Sequence, residues 1–139
     1  MGTRPEAIKL APVVAALRKT DDFSCTVVAT GQHKEMFSQV VDRFGIAVDA
    51  ELDVMRPNQT LAGLTARLMT SIDGWLATAH PDMALVQGDT TTVLVSALAC
   101  FYRRIPLGKG AAKRLEFTEK EKVFDPKVVY GDAPNPTKL

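Results

Sequence analysis

The residues best suited to chemistry lie at 87–92, which read Gln-Gly-Asp-Thr-Thr-Thr between two apolar runs. The run before them, 83–86, has the length of a buried strand, and the run after them, 93–100, suits a helix. A carboxylate and hydroxyls at such a junction lie beside the free N–H groups of the first helical turn, which favour an anionic ligand. The pattern predicts chemistry at Asp89, although these side chains could also serve as a simple helix N-cap.

A second helix start carries a similar set of groups. Residues 2–9 read Gly-Thr-Arg-Pro-Glu-Ala-Ile-Lys, with a glycine turn, a hydroxyl, a guanidinium and then a proline in the first helical position. Arg4 offers a planar fork of donors that suits phosphate oxygens, and the helix N-terminus adds partial positive charge. Glu6 and Lys9 lie one turn apart, which is also the spacing of a plain surface ion pair. Two helix starts are thus equipped for a phosphate-bearing ligand.

Two further motifs, Gly-Gln-His-Lys-Glu-Met at 31–36 and Gln-Thr-Leu at 59–61, join those at 2–9 and 88–92. In this order and spacing, the four motifs resemble bacterial non-hydrolysing UDP-N-acetylglucosamine 2-epimerases over residues 2–108. The resemblance implies an isomerase that interconverts UDP-GlcNAc and UDP-ManNAc for polysaccharide precursors. It further implies the N-terminal half of a two-domain GT-B-type fold, a homodimer, and UDP-GlcNAc and UDP as ligands, with no cofactor.

The resemblance also assigns roles to individual residues. Asp89 is expected to act on the proton at the sugar C2, while UDP is eliminated to leave a glycal and is then added back. The residues expected to bind substrate are Arg4, Lys9, His33 and Thr90. The residues expected to form a second, regulatory UDP-GlcNAc site are Gln32, Glu35 and Gln59, and no metal site is implied. Judged from residue types alone, the histidine could be a surface or capping residue, and the regulatory set could be solvated.

The resemblance stops at both ends of the chain. Family members carry a short apolar strand ahead of the first motif, where this chain has Met1, so we expect the first strand to be missing. After Gly108 the family continues with a His-Val-Glu-Ala-Gly-Leu-Arg segment and a second nucleotide-binding domain, which this sequence does not match. We therefore predict a Rossmann-like domain at 1–108 and an unassigned tail at 109–139, which is peripheral or partly disordered except for a strand pattern at 127–130.

The elements that must position the motifs alternate between helix and strand. Helical spacing of apolar residues predicts helices at 5–19, 35–44, 61–80 and 91–102, and short β-branched or apolar runs predict strands at 25–30, 83–86 and 105–107. Pro12 should kink the first helix or shift its start. Strands separated by such helices need parallel crossovers, which predicts an α/β Rossmann-like, doubly wound parallel sheet. The motifs after the first two strands then fall at strand carboxyl ends, where such sheets bind ligands.

The composition is that of an ordinary globular protein. Hydrophobic residues make up 46% and charged residues 24% of the chain, with a net charge of +1, which does not indicate a nucleic-acid partner. No run approaches the roughly 20 apolar residues that span a bilayer, and no secretory signal opens the chain. The two cysteines lie in apolar runs without metal-ligand spacing. We therefore expect a cytoplasmic protein with no membrane partner.

Three hypotheses follow from these patterns. The first is an epimerase whose activity is impaired here, because the second domain and the glutamates that complete the acid-base set are not identifiable in this chain. The second is a non-catalytic fragment that binds a nucleotide sugar or pairs with another chain. The third is a related 2-epimerase that hydrolyses its substrate or acts on a different sugar nucleotide, because nothing in residues 2–108 determines the sugar.

Overall fold

The computed structural model describes residues 1–31 and 34–110. In this part of the chain the elements are α1 (Arg4–Leu17), β1 (Val28–Ala29), α2 (Lys34–Phe44), β2 (Ala50–Glu51), α3 (Leu61–Ala79), β3 (Ala84–Gln87), α4 (Thr91–Arg103) and β4 (Leu107–Gly110). Strand β2 was not predicted, because two residues are too few to show a strand pattern. The strand predicted at 127–130 and the rest of the tail after Gly110 lie outside the described residues.

The helices lie close to their predicted positions, whereas two strands differ. Helix α1 begins at Arg4 and continues through Pro12, so the proline does not shift the helix start. Pro12 is exposed, and so is Ile8, the residue four positions earlier whose carbonyl has no N–H partner at Pro12. The strand predicted at 25–30 is assigned only at Val28–Ala29, and the strand predicted at 105–107 lies at Leu107–Gly110. Backbone pairing, which the sequence pattern does not reveal, sets both limits.

Both strand pairs are parallel, as a crossover through a helix requires. Strand β1 pairs with β2, with Val28 opposite Ala50, and β3 pairs with β4, with Ala84 opposite Leu107. The described strands therefore form two two-stranded sheets instead of one continuous sheet. The parallel α/β architecture is confirmed.

Met1 lies beside β1 and bonds to it as a strand residue would. Its α-amine donates to the Val28 carbonyl at 2.7 Å, and the Thr30 N–H donates to the Met1 carbonyl at 2.9 Å. This reciprocal pair of bonds is the pattern of a parallel ladder opposite Ala29. No strand precedes α1 among the described residues.

Helices α3 and α4 enclose the largest of the three buried apolar clusters in the described part of the chain. The predicted stripe on α3 is buried at Leu64, Leu68, Ile72 and Leu76, but Leu61, also predicted to belong to it, is 77% exposed. Leu61 is the first residue of α3, where no facing element covers it. Apolar residues from the neighbouring elements complete this cluster: Val54, Val95, Ala99 and Cys100. Burial raises the pKa of the Cys100 thiol, so this cysteine behaves as a small apolar residue.

An ion pair joins the outer sides of the same two helices. The Arg103 guanidinium donates from Nε and Nη2 to the two Asp73 carboxylate oxygens, at 2.5 and 2.7 Å. The hydrogen bonds from Arg103 lower the pKa of the Asp73 carboxyl. Because the carboxyl pKa is depressed in the folded state, the contribution of this pair is present at neutral pH and is lost as the pH falls through that pKa.

The burial contrast along α3 gives a stability prediction. Replacing Leu68, which is fully buried, with alanine leaves a cavity and should lower the free energy of unfolding by about 2–5 kcal/mol. Leu61→Ala, in the same helix but 77% exposed, should change it by less than about 0.5 kcal/mol. Urea denaturation followed by circular dichroism measures both. Equal losses would contradict the assigned core.

Candidate active site

The Glu6 carboxylate connects the two helix starts that the sequence singled out. Its side chain belongs to the first turn of α1, and only 3% of the residue is exposed. The Gly2 N–H donates to Glu6 Oε2 at 2.6 Å, and the Thr90 hydroxyl donates to Glu6 Oε1 at 2.7 Å. Each carboxylate oxygen therefore has a donor, which is the condition for keeping a carboxylate in a buried position.

Gly88 allows this close approach between α1 and the end of β3. A Cβ placed on Gly88 would lie 3.5 Å from Glu6 Cγ, and the residue has a φ of +102°, which side chains with a Cβ rarely adopt. Glycine therefore turns the chain from β3 toward α4 without displacing the Glu6 side chain. The backbone conformation therefore explains the glycine of the Gly-Asp-Thr motif, apart from any chemical role of the two residues that follow it.

Thr90 is the N-cap of α4. Its hydroxyl accepts from the Val93 N–H at 3.4 Å while donating to Glu6. The capping alternative considered for this run is therefore correct at Thr90, whose hydroxyl hydrogen is committed to Glu6. The predicted contact between Thr90 and substrate stays a prediction.

A second polar contact brings the end of β1 to the same place. The buried hydroxyls of Thr30 and Thr92 lie 3.2 Å apart, between the residue after β1 and the first turn of α4. Gly31 follows with a φ of +68° and starts the segment that carries the third motif. Three chain segments, at residues 1–2, 30–31 and 87–92, thus meet at one edge of the domain.

The charged residues predicted for the site flank this junction in the chain and are exposed. Arg4 is the first residue of α1, and Asp89 lies between β3 and the N-cap of α4; both are exposed. Because Glu6 links these two helix starts, Arg4 and Asp89 belong to the same edge. Lys9 is also exposed, one turn further along α1. An exposed guanidinium, an exposed carboxylate and two helix N-termini are available to a ligand with negative charge and hydroxyl groups.

Gln59 stands in a separate hydrogen-bonded loop before α3. Its side-chain carbonyl accepts from Arg67 Nη2 and, at 3.2 Å, from the Arg56 N–H. Arg67 also donates from Nε to the Val54 carbonyl at 3.0 Å. These bonds all lie within the loop and the first turns of α3, and they give Gln59 a local structural role.

The remaining predicted residues cannot be placed at this edge. Gln32 and His33 lie outside the described residues, and Glu35 is in α2 but its side chain belongs to the undescribed part. Among the residues that the structure describes, no group of three or more metal-ligating side chains comes together. Within the same part of the chain, no helix combines the length and the apolar character needed to cross a membrane.

Glu6 is the residue whose role sequence reasoning missed. The spacing to Lys9 suggested a surface ion pair, but Glu6 is buried while Lys9 is exposed. A signal was present, because Thr3-Arg4-Pro5-Glu6 has the form of a capping box, in which the glutamate turns back to a main-chain N–H at the helix start. Here the Glu6 carboxylate accepts from the N–H of Gly2, which lies one residue before the N-cap.

Comparison with known proteins places this arrangement in a family. The model of the family described as UDP-N-acetylglucosamine 2-epimerase matches residues 15–112, more than half of the chain. The chain belongs to this family. Over 107 residues it is 49% identical to the UDP-N-acetylglucosamine 2-epimerase of Salmonella typhimurium and 50% identical to that of Escherichia coli K12. The resemblance drawn from the four motifs is confirmed.

Solved structures of epimerases share the fold of this family member. The chain has a TM-score of 0.74 and 50% identity to a putative UDP-N-acetylglucosamine 2-epimerase from Listeria monocytogenes, covering 78% of this chain and 29% of that one. It has a TM-score of 0.73 and 45% identity to the Neisseria meningitidis UDP-GlcNAc 2-epimerase bound to UDP-GlcNAc, covering 78% and 30%. The matched region is 77% of this chain and 28% of the Salmonella and E. coli relatives.

The buried carboxylate gives a prediction for this epimerase-family chain. In Glu6→Gln the amide oxygen can still accept from Thr90, but the amide NH₂ then faces the Gly2 N–H, so one donor is left without an acceptor. The free energy of unfolding should fall by about 1–3 kcal/mol in a urea titration at neutral pH. Lys9→Gln, an exposed change on the same helix, should cost less than about 0.5 kcal/mol. Equal effects of the two substitutions would contradict the inference that Glu6 links the two helix starts.

Proposed function

We propose that this chain forms the N-terminal half of a UDP-GlcNAc 2-epimerase cleft and contributes to the interconversion of UDP-GlcNAc and UDP-ManNAc. The observation that carries the proposal is the Glu6 link, which holds the starts of α1 and α4 together and leaves Arg4 and Asp89 exposed on one edge. Family membership and 45% identity to an epimerase bound to UDP-GlcNAc support the nucleotide sugar as the ligand.

The roles follow from the chemistry of each group. Arg4 would pair with the diphosphate oxygens through its planar fork, beside the partial positive charge of the α1 N-terminus. Asp89 would act at the C2 proton, since an exposed carboxylate next to a helix start can accept or return a proton at a bound sugar. Thr90 and Glu6 would position this carboxylate by fixing the turn before α4.

The other predicted contacts remain part of the proposal. Lys9 is exposed near the start of α1 and would lie at the margin of the same edge, and His33 would add a group able to transfer a proton. Gln32, Glu35 and Gln59 would contribute to a regulatory nucleotide-sugar site. Gln59 would do so beside Arg56 and Arg67, to which its amide oxygen is hydrogen-bonded, because two guanidinium groups suit a diphosphate.

Catalysis needs more of the protein than the matched region. Because this region is about 28% of the full length of the relatives, the groups that close the cleft and complete the acid-base set lie in the remaining part of such proteins. The chain by itself should therefore bind a nucleotide sugar more readily than it turns one over. We place this function in the cytoplasm, in the supply of polysaccharide precursors.

The same proposal includes a homodimer formed through α4. Three large apolar side chains project from one face of this helix, with exposures of 66% for Leu94, 39% for Leu98 and 74% for Phe101. Their spacing of four and then three residues aligns them along the helix. Tyr102, 64% exposed, lies at the edge of this apolar face and its ring centroid is 6.1 Å from that of Phe101. A second copy of the chain would cover the face.

Ligand binding tests the first part of the proposal. Titration of the isotope-labelled chain with UDP-GlcNAc and with UDP should shift the amide signals of residues 2–6 and 88–92 in NMR spectra. Arg4→Ala should weaken binding about tenfold, because a charge-assisted pair with the diphosphate is lost. The matched control is Arg104→Gly at the opposite end of α4, where φ is +57° and glycine is tolerated. Equal affinities of the two variants would contradict the proposed phosphate contact.

Sedimentation equilibrium tests the second part. Phe101→Glu places a charge on the apolar face and should convert a dimer to a monomer, raising the dimer dissociation constant by about a hundredfold or more. Leu61→Glu is the control, because Leu61 is 77% exposed but belongs to the start of α3. A monomeric unmodified chain at high concentration, or a dimer that survives Phe101→Glu, would rule out this interface.

A further inference from the structure

Four polar or charged residues are buried in the part of the chain that the structure describes, and all of them lie at the edge where β1 and β3 end: Glu6, Thr30, Gln87 and Thr92. Three of them have hydrogen-bond partners. Glu6 accepts from Thr90 at 2.7 Å, and the hydroxyls of Thr30 and Thr92 lie 3.2 Å apart. Gln87 is the exception, because no described residue donates to its side-chain amide or accepts from it.

The Gln87 amide reaches the surface, although the residue as a whole is only 9% exposed. In the described part of the chain, no side-chain nitrogen or oxygen is both sealed from water and without a hydrogen-bond partner. Because the Gln87 amide has no described partner, its polar atoms must retain contact with solvent. The small exposed part of this residue therefore includes the amide, which is set back from the surface and open to a ligand.

The position of Gln87 in β3 determines which face of the strand carries the amide. Side chains alternate between the two faces of a strand. Ala84 packs against the apolar cluster between α3 and α4, and Gln87 is an odd number of residues away, so it lies on the opposite face. Helix α1 contacts β3 but packs in separate apolar clusters, which places it on that opposite face. The amide therefore lies on the same side of β3 as α1.

An unpaired amide in this position lowers the stability of the fold. A polar group that has lost most of its water and has gained no protein partner is less favourable than an apolar side chain of the same shape. Such groups are few in folded proteins, and each calls for an explanation. At Gln87 the explanation that fits an open, recessed amide is a hydrogen-bond partner that arrives with a ligand.

The neighbouring groups indicate which part of a nucleotide sugar would reach Gln87. Asp89, which follows the Gly88 turn, is proposed to act at the C2 proton, so the C2 substituent of the sugar would lie nearest the end of β3. In UDP-GlcNAc this substituent is an acetamido group, whose carbonyl oxygen accepts hydrogen bonds from an amide NH₂. That oxygen projects further from the sugar ring than a hydroxyl oxygen does, which suits a donor set back from the surface.

We propose that the Gln87 side-chain amide donates to the carbonyl oxygen of the C2 acetamido group and so selects N-acetylated sugar nucleotides. This inference rests on the proposed function, because it takes the nucleotide sugar as the ligand and Asp89 as the group at C2. It adds a specificity-determining residue to that site. A sugar with a hydroxyl at C2 leaves the amide unpaired, and a site that hydrogen-bonds a substrate group discriminates against the analogue that lacks it.

Ligand titrations of the isotope-labelled chain test the selection. The unmodified chain should bind UDP-GlcNAc about tenfold more tightly than UDP-glucose, because one hydrogen bond distinguishes them. The NMR signals of the Gln87 side-chain NH₂ should shift with UDP-GlcNAc and stay in place with UDP-glucose. Gln87→Met keeps the length of the side chain and removes the amide. This variant should bind the two sugar nucleotides equally, with its affinity for UDP unchanged.

A stability measurement separates this role from a structural one. Gln87→Met should leave the midpoint of urea denaturation unchanged or raise it, because the amide that is removed has no described protein partner. Gln59→Met is the matched control, since the Gln59 amide oxygen accepts from Arg56 and Arg67. Loss of these bonds should lower the midpoint.

The outcomes distinguish this inference from the function on which it rests. Equal binding of UDP-GlcNAc and UDP-glucose by the unmodified chain would overturn the inference alone. A preference that survives Gln87→Met, or a lowered urea midpoint in this variant, would do the same. A chain that binds neither UDP nor either sugar nucleotide at millimolar concentration would contradict the proposed function, and this inference with it.

Discussion

The buried carboxylate of Glu6 is the contact on which the geometry of the edge depends. A carboxylate removed from water is costly unless its oxygens find donors, and here the donors come from two distant parts of the chain, Gly2 and Thr90. Because both must be in place to satisfy Glu6, the start of α1 and the start of α4 are held in a fixed relation. The position of Glu6 in the first turn of α1 adds a favourable interaction with the helix dipole.

Apolar packing of the helices holds in place the elements that form this polar junction. Helices α3 and α4 pack together around Leu68 and Val95, and this packing fixes the position of the α4 N-terminus at the edge. On the other side, α1 packs through Ala7 and Ala11 against the β1 region and α2. The polar contact between Thr30 and Thr92 then joins the two halves where β1 ends and α4 begins. An edge assembled this way offers exposed charged groups on a rigid base, which suits ligand recognition.

Helix α4 presents exposed apolar side chains in addition to the N-cap that bonds to Glu6. On α4 the exposed groups are side chains, which can be covered by any apolar surface of matching shape.

Most of the fold could be predicted from the sequence, because it depends on periodicities that any reader of the chain can count. The four helices, three of the four strands, and the parallel pairing that such crossovers require follow from apolar spacing and from the turns around Gly31 and Gly88, whereas β2 was not predicted. The four motifs were likewise sufficient to identify the family. Local signals also anticipated that residues 88–92 would begin a helix at a strand end.

What the sequence could not determine depends on contacts between residues far apart in the chain. The burial of Glu6 depends on Thr90, which is 84 positions away. The local sequence, in which Lys9 follows one helical turn later, is equally compatible with a surface ion pair between Glu6 and Lys9. The exposure of Leu61 and the limits of β1 depend on which neighbours are present, since a side chain is buried and a strand is paired only by another segment. The sequence by itself therefore determined the elements, the family and the chemical groups at the edge. Only the tertiary structure decided which carboxylate is buried and which is exposed, because the free energy of a charge depends on the donors and the water around it.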